Sequence, residues 1–460
     1  VKINADNQRG ERDMNAFRLV VQPFEVYQIT EFYVHKEVNK HIVMFLKGYI
    51  LKEDADILQR RQMFHQEIVV DLQEAGKKTE TLFCGVIVDL GLCVDGDLYE
   101  VEITSLSYSC LLDEKERFRT FQRKGQIYSE IAKEVAAGGG AAIICNCGDT
   151  SVGPLEIQYR ETDWEFLKRM ASKEHSILIS DCRLHKPAIY FGMKIGKRKE
   201  VIVRSKKVCD RMEDGHICRE YELNAYGFVE IGDKILFNDT EMQVYGVEIR
   251  LENQELVSII CLRKQQDHIQ NPYYNFRIPG VSLYGTVKKV INEKLQILLD
   301  GDEGKQTGQR WFDFATVYSS PEGSGWYCMP EIGDSIYLYS PNERPEDAYV
   351  LNAVHLEGAK DRKDPEHKYL KTKRNQEIRF SPGRIIITNN KGMRIVLDDE
   401  KGIEIKSDKD ILLEAEEGIS INSGQNILAK GNDAVILKQN INMIAVRNGI
   451  REHGIRIDRQ

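Results

Sequence analysis

Glu161 and Asp163 stand two residues apart at a predicted helix start, and a carboxylate pair can divide acid and base work, as in glycoside hydrolysis. The residues around them argue for a different use. Thr162 and Glu165 have the spacing of a capping box, in which the threonine hydroxyl accepts from a free helix amide and the glutamate reaches back to the cap. Carboxylates in the first turn also meet the positive end of the helix dipole. Structural work is therefore expected of Glu161 and Asp163. Elsewhere, Cys145-Asn146-Cys147 is the only close pair among ten cysteines, and its spacing suits neither a zinc site nor a disulfide framework. All ten read as reduced and mostly buried, as in a protein made in a cytoplasm. His175 follows the predicted helix end, and His216 is isolated between Gly215 and Ile217. Gly138-Gly139-Gly140 is a helix stop, since no Lys-Ser/Thr follows to complete a phosphate loop. No catalytic, cofactor-binding or metal-ligating residue is assigned.

The elements that would position these groups are mostly strands. Alternation marks Phe17 to Val21, Ile42 to Ile50, Glu67 to Leu72, Leu82 to Val88 and Tyr99 to Leu106, a barrel or sandwich entered from the N-terminus. Ile127, Ile131 and Val135 stack at helical spacing, predicting a helix over 125–137. Trp164, Leu167 and Ala171 line one face of a second helix, with the strand Ile177 to Ile179 directly after it. Strands continue from about Ala188, with a hairpin over Met242 to Leu262 turning near Asn253. The basic stretch around Lys197, Arg204 and Lys207 alternates with Val201 and Val203, the wet side of a hairpin.

Asn271-Pro272 marks a boundary. About five strands between Val281 and His355 suggest a small closed barrel of the OB type. Its aromatics, Trp311, Phe312, Phe314, Trp326 and Tyr327, sit among Asp313 and Glu322. They read as barrel core and subunit contacts, because a nucleic-acid groove would need positive charge beside them. The net charge of −8 likewise argues against general affinity for nucleic acid or anionic membranes. Composition is that of a globular protein, 42% hydrophobic and 30% charged, and no apolar run reaches the length of a membrane span.

From Gly392 to Gln439 the chain repeats every eight residues. Ile395, Ile403, Ile411, Ile419, Ile427 and Val435 form one series, and Leu397, Ile405, Leu413, Ile421, Ala429 and Leu437 form another two places on. An apolar-x-apolar pair puts both side chains on one face of a short strand. Gly402, Asp410, Gly418 and Asn426 precede the pairs and suit corners, as does the solvated turn Asp398-Asp399-Glu400. Two apolar residues per octad are few for one chain to enclose a core. Three chains wound about one axis would bring the stripes together inside and leave Lys406, Lys409 and Glu414 outside. A single-chain β-helix or meander is the other architecture this spacing permits.

The segment Gln158-Tyr159-Arg160-Glu161-Thr162-Asp163-Trp164, with Phe166 and Leu167 after it, resembles a signature of VgrG-type proteins, the spikes of type VI secretion systems and related contractile injection machines. Arg119-Thr120-Phe121-Gln122 resembles that family's R-x-FQ motif, and Met329-Pro330-Glu331-Ile332-Gly333-Asp334 resembles its barrel turn. The resemblance spans nearly the whole chain. It implies a mainly β protein with a few helices: hub β-barrels over 1–270, an OB-fold barrel over 271–357, a charged linker over 358–384, an octad-repeat needle over 385–445 and a tip segment over 446–460. It also implies a homotrimer whose C-terminal parts intertwine as a β-helical prism. Such a spike caps a hexameric inner tube, sits among baseplate proteins, and carries a conical tip protein of the PAAR type or an effector. It would assemble in the cytoplasm, leave with the particle and meet a membrane only by puncture. Valine-glycine repeats that name the family are replaced here by Ile/Leu pairs, and no lysozyme fits between barrel and needle. Three copies of His453 could meet at the axis around a metal ion, though the His-x-His pair used by some phage tips is missing. The alternative function is a phage tail-associated cell-wall hydrolase with its site in the N-terminal half.

Overall fold

A computed structural model describes residues 17–453 apart from 75–76, 149, 214–215, 269 and 355–363. The chain divides into two units, Val1–Leu356 and Glu357–Gln460. The described residues are mainly strand, with three α-helices, and none of the helices is long and apolar enough to cross a membrane.

The first unit is built on an 11-stranded antiparallel sheet. Strands from the first hundred residues join those from the 202–263 region through one pairing, Val26–Glu37 with Thr240–Glu252, running from Gly246 opposite Glu37 to Arg250 opposite Tyr33. Strict alternation explains the inward face: in Val43–Ile50, Met44, Leu46 and Ile50 are buried and their neighbours are not. Bulges between Val26 and Gln28 and between Ile87 and Asp89 bend the sheet around its core. At Gly48 the strands cross so closely that a Cβ would lie 2.5 Å from the Gln28 carbonyl oxygen. The predicted hairpin is present as Thr240–Glu252 and Glu255–Arg263, turning through Asn253 and Gln254 at φ +50° and +66°. Of the basic stretch, Arg204 and Lys207 lie on the exposed strand Ile202–Glu213, paired with His216–Tyr226 as a hairpin, while Lys197 precedes that strand.

Two helices, α2 (Tyr128–Gly138) and α3 (Asp163–Lys173), enclose a second core with Phe121, Ile131, Trp164, Phe166 and Leu167; α1 (Lys52–Arg60) lies on the large sheet. The strand after α3 is Leu178–Ser180, in a 3-stranded sheet with Ala188–Phe191 and Ala142–Cys145. A two-stranded ribbon, Arg117–Phe121 with Glu156–Glu161, runs beside the helices. Its side chains divide between two cores: Phe121 enters the helical one, while Leu155 (just before the ribbon) and Ile157 enter the core of the following barrel.

That barrel has five strands, Ser282–Ile291, Lys294–Leu299, Phe312–Asp313, Ser335–Tyr339 and Tyr349–Val354. A bridge between Phe314 and Val350, with the Ala315 amide donating to the Val350 carbonyl at 2.8 Å, closes the sheet. Of its aromatics only Phe312 is fully buried. Trp311 and Phe314 are half-buried, and Trp326 and Tyr327 are exposed, so the expectation that they form barrel core holds for part of the set.

The second unit opens as an antiparallel meander of five strands: Lys368–Lys371, Glu377–Ser381, Arg384–Thr388, Arg394–Asp398 and Gly402–Lys406. The charged stretch 358–384, read as a linker, therefore contributes two strands. Its charges are partly paired across the sheet and around Glu377, which Arg379 and Asn390 contact. The octads from Ile411 to Ala429 form no strand among the described residues. A strand needs a neighbour for its N–H and C=O groups, and this stretch has none among the described residues. Pairing resumes with Val435–Gln439, Asn442–Arg447 and Gly449–His453. The His453 side chain and residues 454–460 lie outside what is described.

Candidate functional site

Two arrangements gather the motif residues, and each begins with local sequence. At the first, Thr162 caps α3: its Oγ1 accepts from the Glu165 amide at 3.1 Å, and Glu165 accepts from the Thr162 amide at 3.1 Å. The capping box read from spacing is present. Arg160 is the bulged residue of the ribbon, at φ +49° between Tyr159 opposite Phe118 and Glu161 opposite Arg117. This bulge turns Glu161 inward.

Glu161 is buried and accepts from Arg169 Nε at 2.7 Å and Nη2 at 2.8 Å. The same guanidinium donates to Glu156 at 2.7 Å and to the Ile157 carbonyl at 2.7 Å. Burial works against the charge on Arg169, but Glu156 and Glu161 together hold its pKa above the ordinary value. Asp163 accepts from Arg119 Nη1 at 2.9 Å and from Gln158 Nε2 at 3.0 Å. Asp163 lies in the first turn of α3, whereas Glu161 is held by an arginine two turns into the helix rather than by the dipole. Both carboxylates have arginine partners.

The remaining motif residues pack around this knot. Trp164 is buried with its ring 4.3 Å from that of His41, whose Nε2 lies 2.7 Å from Asp113. Tyr159 meets Phe118 edge-on at 5.9 Å, and its carbonyl accepts from Asn275 Nδ2 at 2.7 Å. The Arg160 carbonyl accepts from Arg277.

Residues that sequence reasoning missed lie across the joint. Asp302 of the barrel accepts from the Thr120 amide at 2.8 Å and also from its hydroxyl. Gln122 Oε1 accepts from the amides of Gln309 at 2.9 Å and Arg310 at 3.1 Å, and the Glu303 amide donates to the Phe118 carbonyl at 2.9 Å. Thus the motif at Arg119-Thr120-Phe121-Gln122 ties the helical core to the barrel. The Asp300-Gly301-Asp302 turn was the available sign, but its partner lies 182 residues away.

The second arrangement is an apolar face. Cross-strand pairs bring Ile378 opposite Ile387, Phe380 opposite Ile385, Ile387 opposite Ile395, Leu397 opposite Ile403 and Ile395 opposite Ile405. All of these share one side of the meander. Arg384, Asp398, Arg394 and Glu404 occupy the other side, with Arg394 donating to Glu404 at 2.8 Å. The apolar side is open: Ile395 is 38% exposed, Leu397 41%, Ile403 73% and Ile405 58%. Farther on, Ile411, Leu413, Ile419, Ile421, Ile427 and Leu437 are all more than half exposed, and Val435 is half-buried.

By sequence, no protein-family model and no curated protein matches the chain. By structure it is similar to the E. coli c3393 protein, a component of the type VI secretion system with structural similarity to T4 bacteriophage tail proteins gp27 and gp5. That match has 11% identity and a TM-score of 0.53, covering 74% of this chain and 100% of the other. It is also similar to a chain of the Francisella PdpA-VgrG complex in its half-lidded form, at 9% identity and a TM-score of 0.54, covering 85% and 87%. The lidded form gives 8% identity and the same TM-score, covering 83% and 76%. At these identities the likeness is one of fold, and the fold is the one that the VgrG-type resemblance implied.

Proposed function

We propose that the chain is the subunit of a homotrimeric spike and hub at the tip of a contractile injection machine. The observation that carries this reading is the open apolar face of the second unit. From Ile378 to Ile405 it forms one continuous surface of large side chains, each at least 38% exposed. A soluble monomer rarely leaves more than about 300–600 Å² of contiguous apolar surface uncovered. Three copies related by a threefold axis would cover it with identical faces, and the octads from Ile411 to Ala429 would gain the strand neighbours they lack among the described residues.

On this reading the first unit caps a hexameric inner tube among baseplate proteins. The second unit forms the needle that pierces the target envelope, with a conical tip protein or effector at its end. The protein assembles in the cytoplasm and leaves with the particle. The mass of the full chain by light scattering tests the proposal: three chains in an elongated particle support it, and a monomer in the absence of denaturant would overturn it. The hydrolase alternative has no observation in its favour, since Glu161 and Asp163 are both engaged by arginines.

A further inference from the structure

A cluster of donors away from the motif knot lies on the large sheet. Glu67 and Cys84 belong to neighbouring strands, Glu67–Glu74 and Lys77–Asp95, with Glu67 opposite Val86 and Val69 opposite Cys84. That register makes Glu67 and Cys84 diagonal neighbours on one face of the sheet. The bend between Leu178–Ser180 and Ala188–Phe191 brings His185 over them. This bend is fastened by the Cys84 amide, which donates to the Cys182 carbonyl at 2.6 Å. His185 Nδ1 then stands 2.8 Å from Glu67 Oε2 and 3.5 Å from Cys84 Sγ, and Cys84 Sγ lies 3.9 Å from Glu67 Oε2.

We propose that Glu67, Cys84 and His185 form a zinc-binding site that clamps the 181–187 bend onto the large sheet. Zinc bonds of about 2.3 Å to sulfur and about 2.0–2.2 Å to nitrogen and oxygen place tetrahedral ligand atoms roughly 3.4–3.6 Å apart. The three observed separations bracket that range, so small side-chain rotations suffice to seat an ion. A thiolate with an imidazole selects a borderline-soft ion such as zinc over calcium or magnesium, which take oxygen ligands. Charge agrees as well: with the thiol deprotonated, one thiolate and one carboxylate neutralise a divalent ion. Tyr108 supplies the outer support, its hydroxyl donating to Glu67 Oε2 at 2.6 Å and fixing the carboxylate. Cys84 is buried, whereas Glu67 and His185 are exposed, which leaves an entry path and a fourth position facing water. The ligands lie 17 and 101 residues apart, so no spacing motif announces them.

Cobalt titration of the full-length, chelator-treated protein tests the site. The expected result is one cobalt ion per chain, with a thiolate-to-cobalt absorption band in the near ultraviolet that zinc abolishes. Cys84→Ser should remove the band. Should that buried substitution fail to fold, the exposed His185→Ala decides instead: it should weaken cobalt binding at least about tenfold with an unchanged circular dichroism spectrum. Absence of the band at stoichiometric cobalt, or a band and affinity unchanged in His185→Ala, would overturn the proposal. Neither readout depends on oligomeric state, so the result stands apart from that of the trimer test.

Discussion

Arg169 and Glu161 are joined by two hydrogen bonds, at 2.7 Å and 2.8 Å, inside a protein interior where Glu156 completes the set. Removing one member of a buried pair leaves charge without a partner, which costs about 3–5 kcal/mol. Arg169→Ala should therefore be the more damaging change, since it strands both Glu156 and Glu161. Glu161→Gln, which removes one charge and leaves Glu156 with Arg169, should cost less. Chemical denaturation followed by the fluorescence of the tryptophans would rank them; equal and negligible effects would contradict the buried network. Peptidoglycan turnover, if any is detected, should survive Glu161→Gln.

The joint between ribbon and barrel is also open to test. Asp302→Ala removes the acceptor for the Thr120 amide and hydroxyl, and hydrogen bonds to a charged group contribute about 1.5–3 kcal/mol each. Amide exchange should quicken at Thr120 and around residues 300–310, while the core of the large sheet stays protected. Uniform acceleration across the chain would mean that the joint has no local stability of its own.

Apolar octad residues should show stability effects only in an assembled particle. Leu397 is 41% exposed in the single chain, so truncating it there should change little. Enclosed by two further copies it becomes a core residue, for which Leu→Ala costs about 2–5 kcal/mol per copy. Ile403→Lys should be harsher, placing three like charges near one axis. Loss of the three-chain mass in sedimentation is the expected outcome for Ile403→Lys; retention of the full mass would count against enclosure of this face.

The pairing of the two strand groups should depend on pH. His35 lies 3.2 Å from both Glu248 and Glu37, and these carboxylates raise its pKa to about 9 against the opposing effect of burial. Glu37 is held down at about 2, chiefly by His35 and also by Lys40. The histidine contribution is complete below about 6.5 and is lost as pH rises through about 9. The Glu37 contribution is present above about 4.5 and is lost as pH falls through about 2. Local protection of Tyr33 to Glu37 should thus be greatest between about pH 4.5 and 6.5. Solvent access to both groups keeps the effect small. His35→Gln should flatten the alkaline arm of this profile, and an unchanged arm would remove His35 as its source.

Short-range signals were the legible ones. The Thr162–Glu165 box and the hairpin turning at Asn253 both depend on residues within about one turn of each other, where spacing fixes geometry. The helix predicted over 125–137 appears as Tyr128–Gly138 for the same reason. Long-range pairings were not legible. Nothing in the spacing assigns Arg169 to Glu161 rather than to solvent, Asp302 to Thr120, or His185 to Cys84. Those choices follow from how strands stack, and one sequence carries no record of that. The charged stretch 358–384 misled in the opposite direction, because a strand on an open sheet can carry Lys and Arg on its wet face while the apolar face alternates with them.

The ribbon of Arg117–Phe121 and Glu156–Glu161 has a further consequence, because its two faces are anchored in different cores. Its ladder hydrogen bonds run across the strands. A load that pulls the strands past one another along their length is shared by the whole ladder, and those bonds would have to rupture together. A load that peels the strands apart meets them one at a time. The same few bonds are therefore a strong fastener in shear and a weak one in peel, and the direction of thrust decides which the molecule presents.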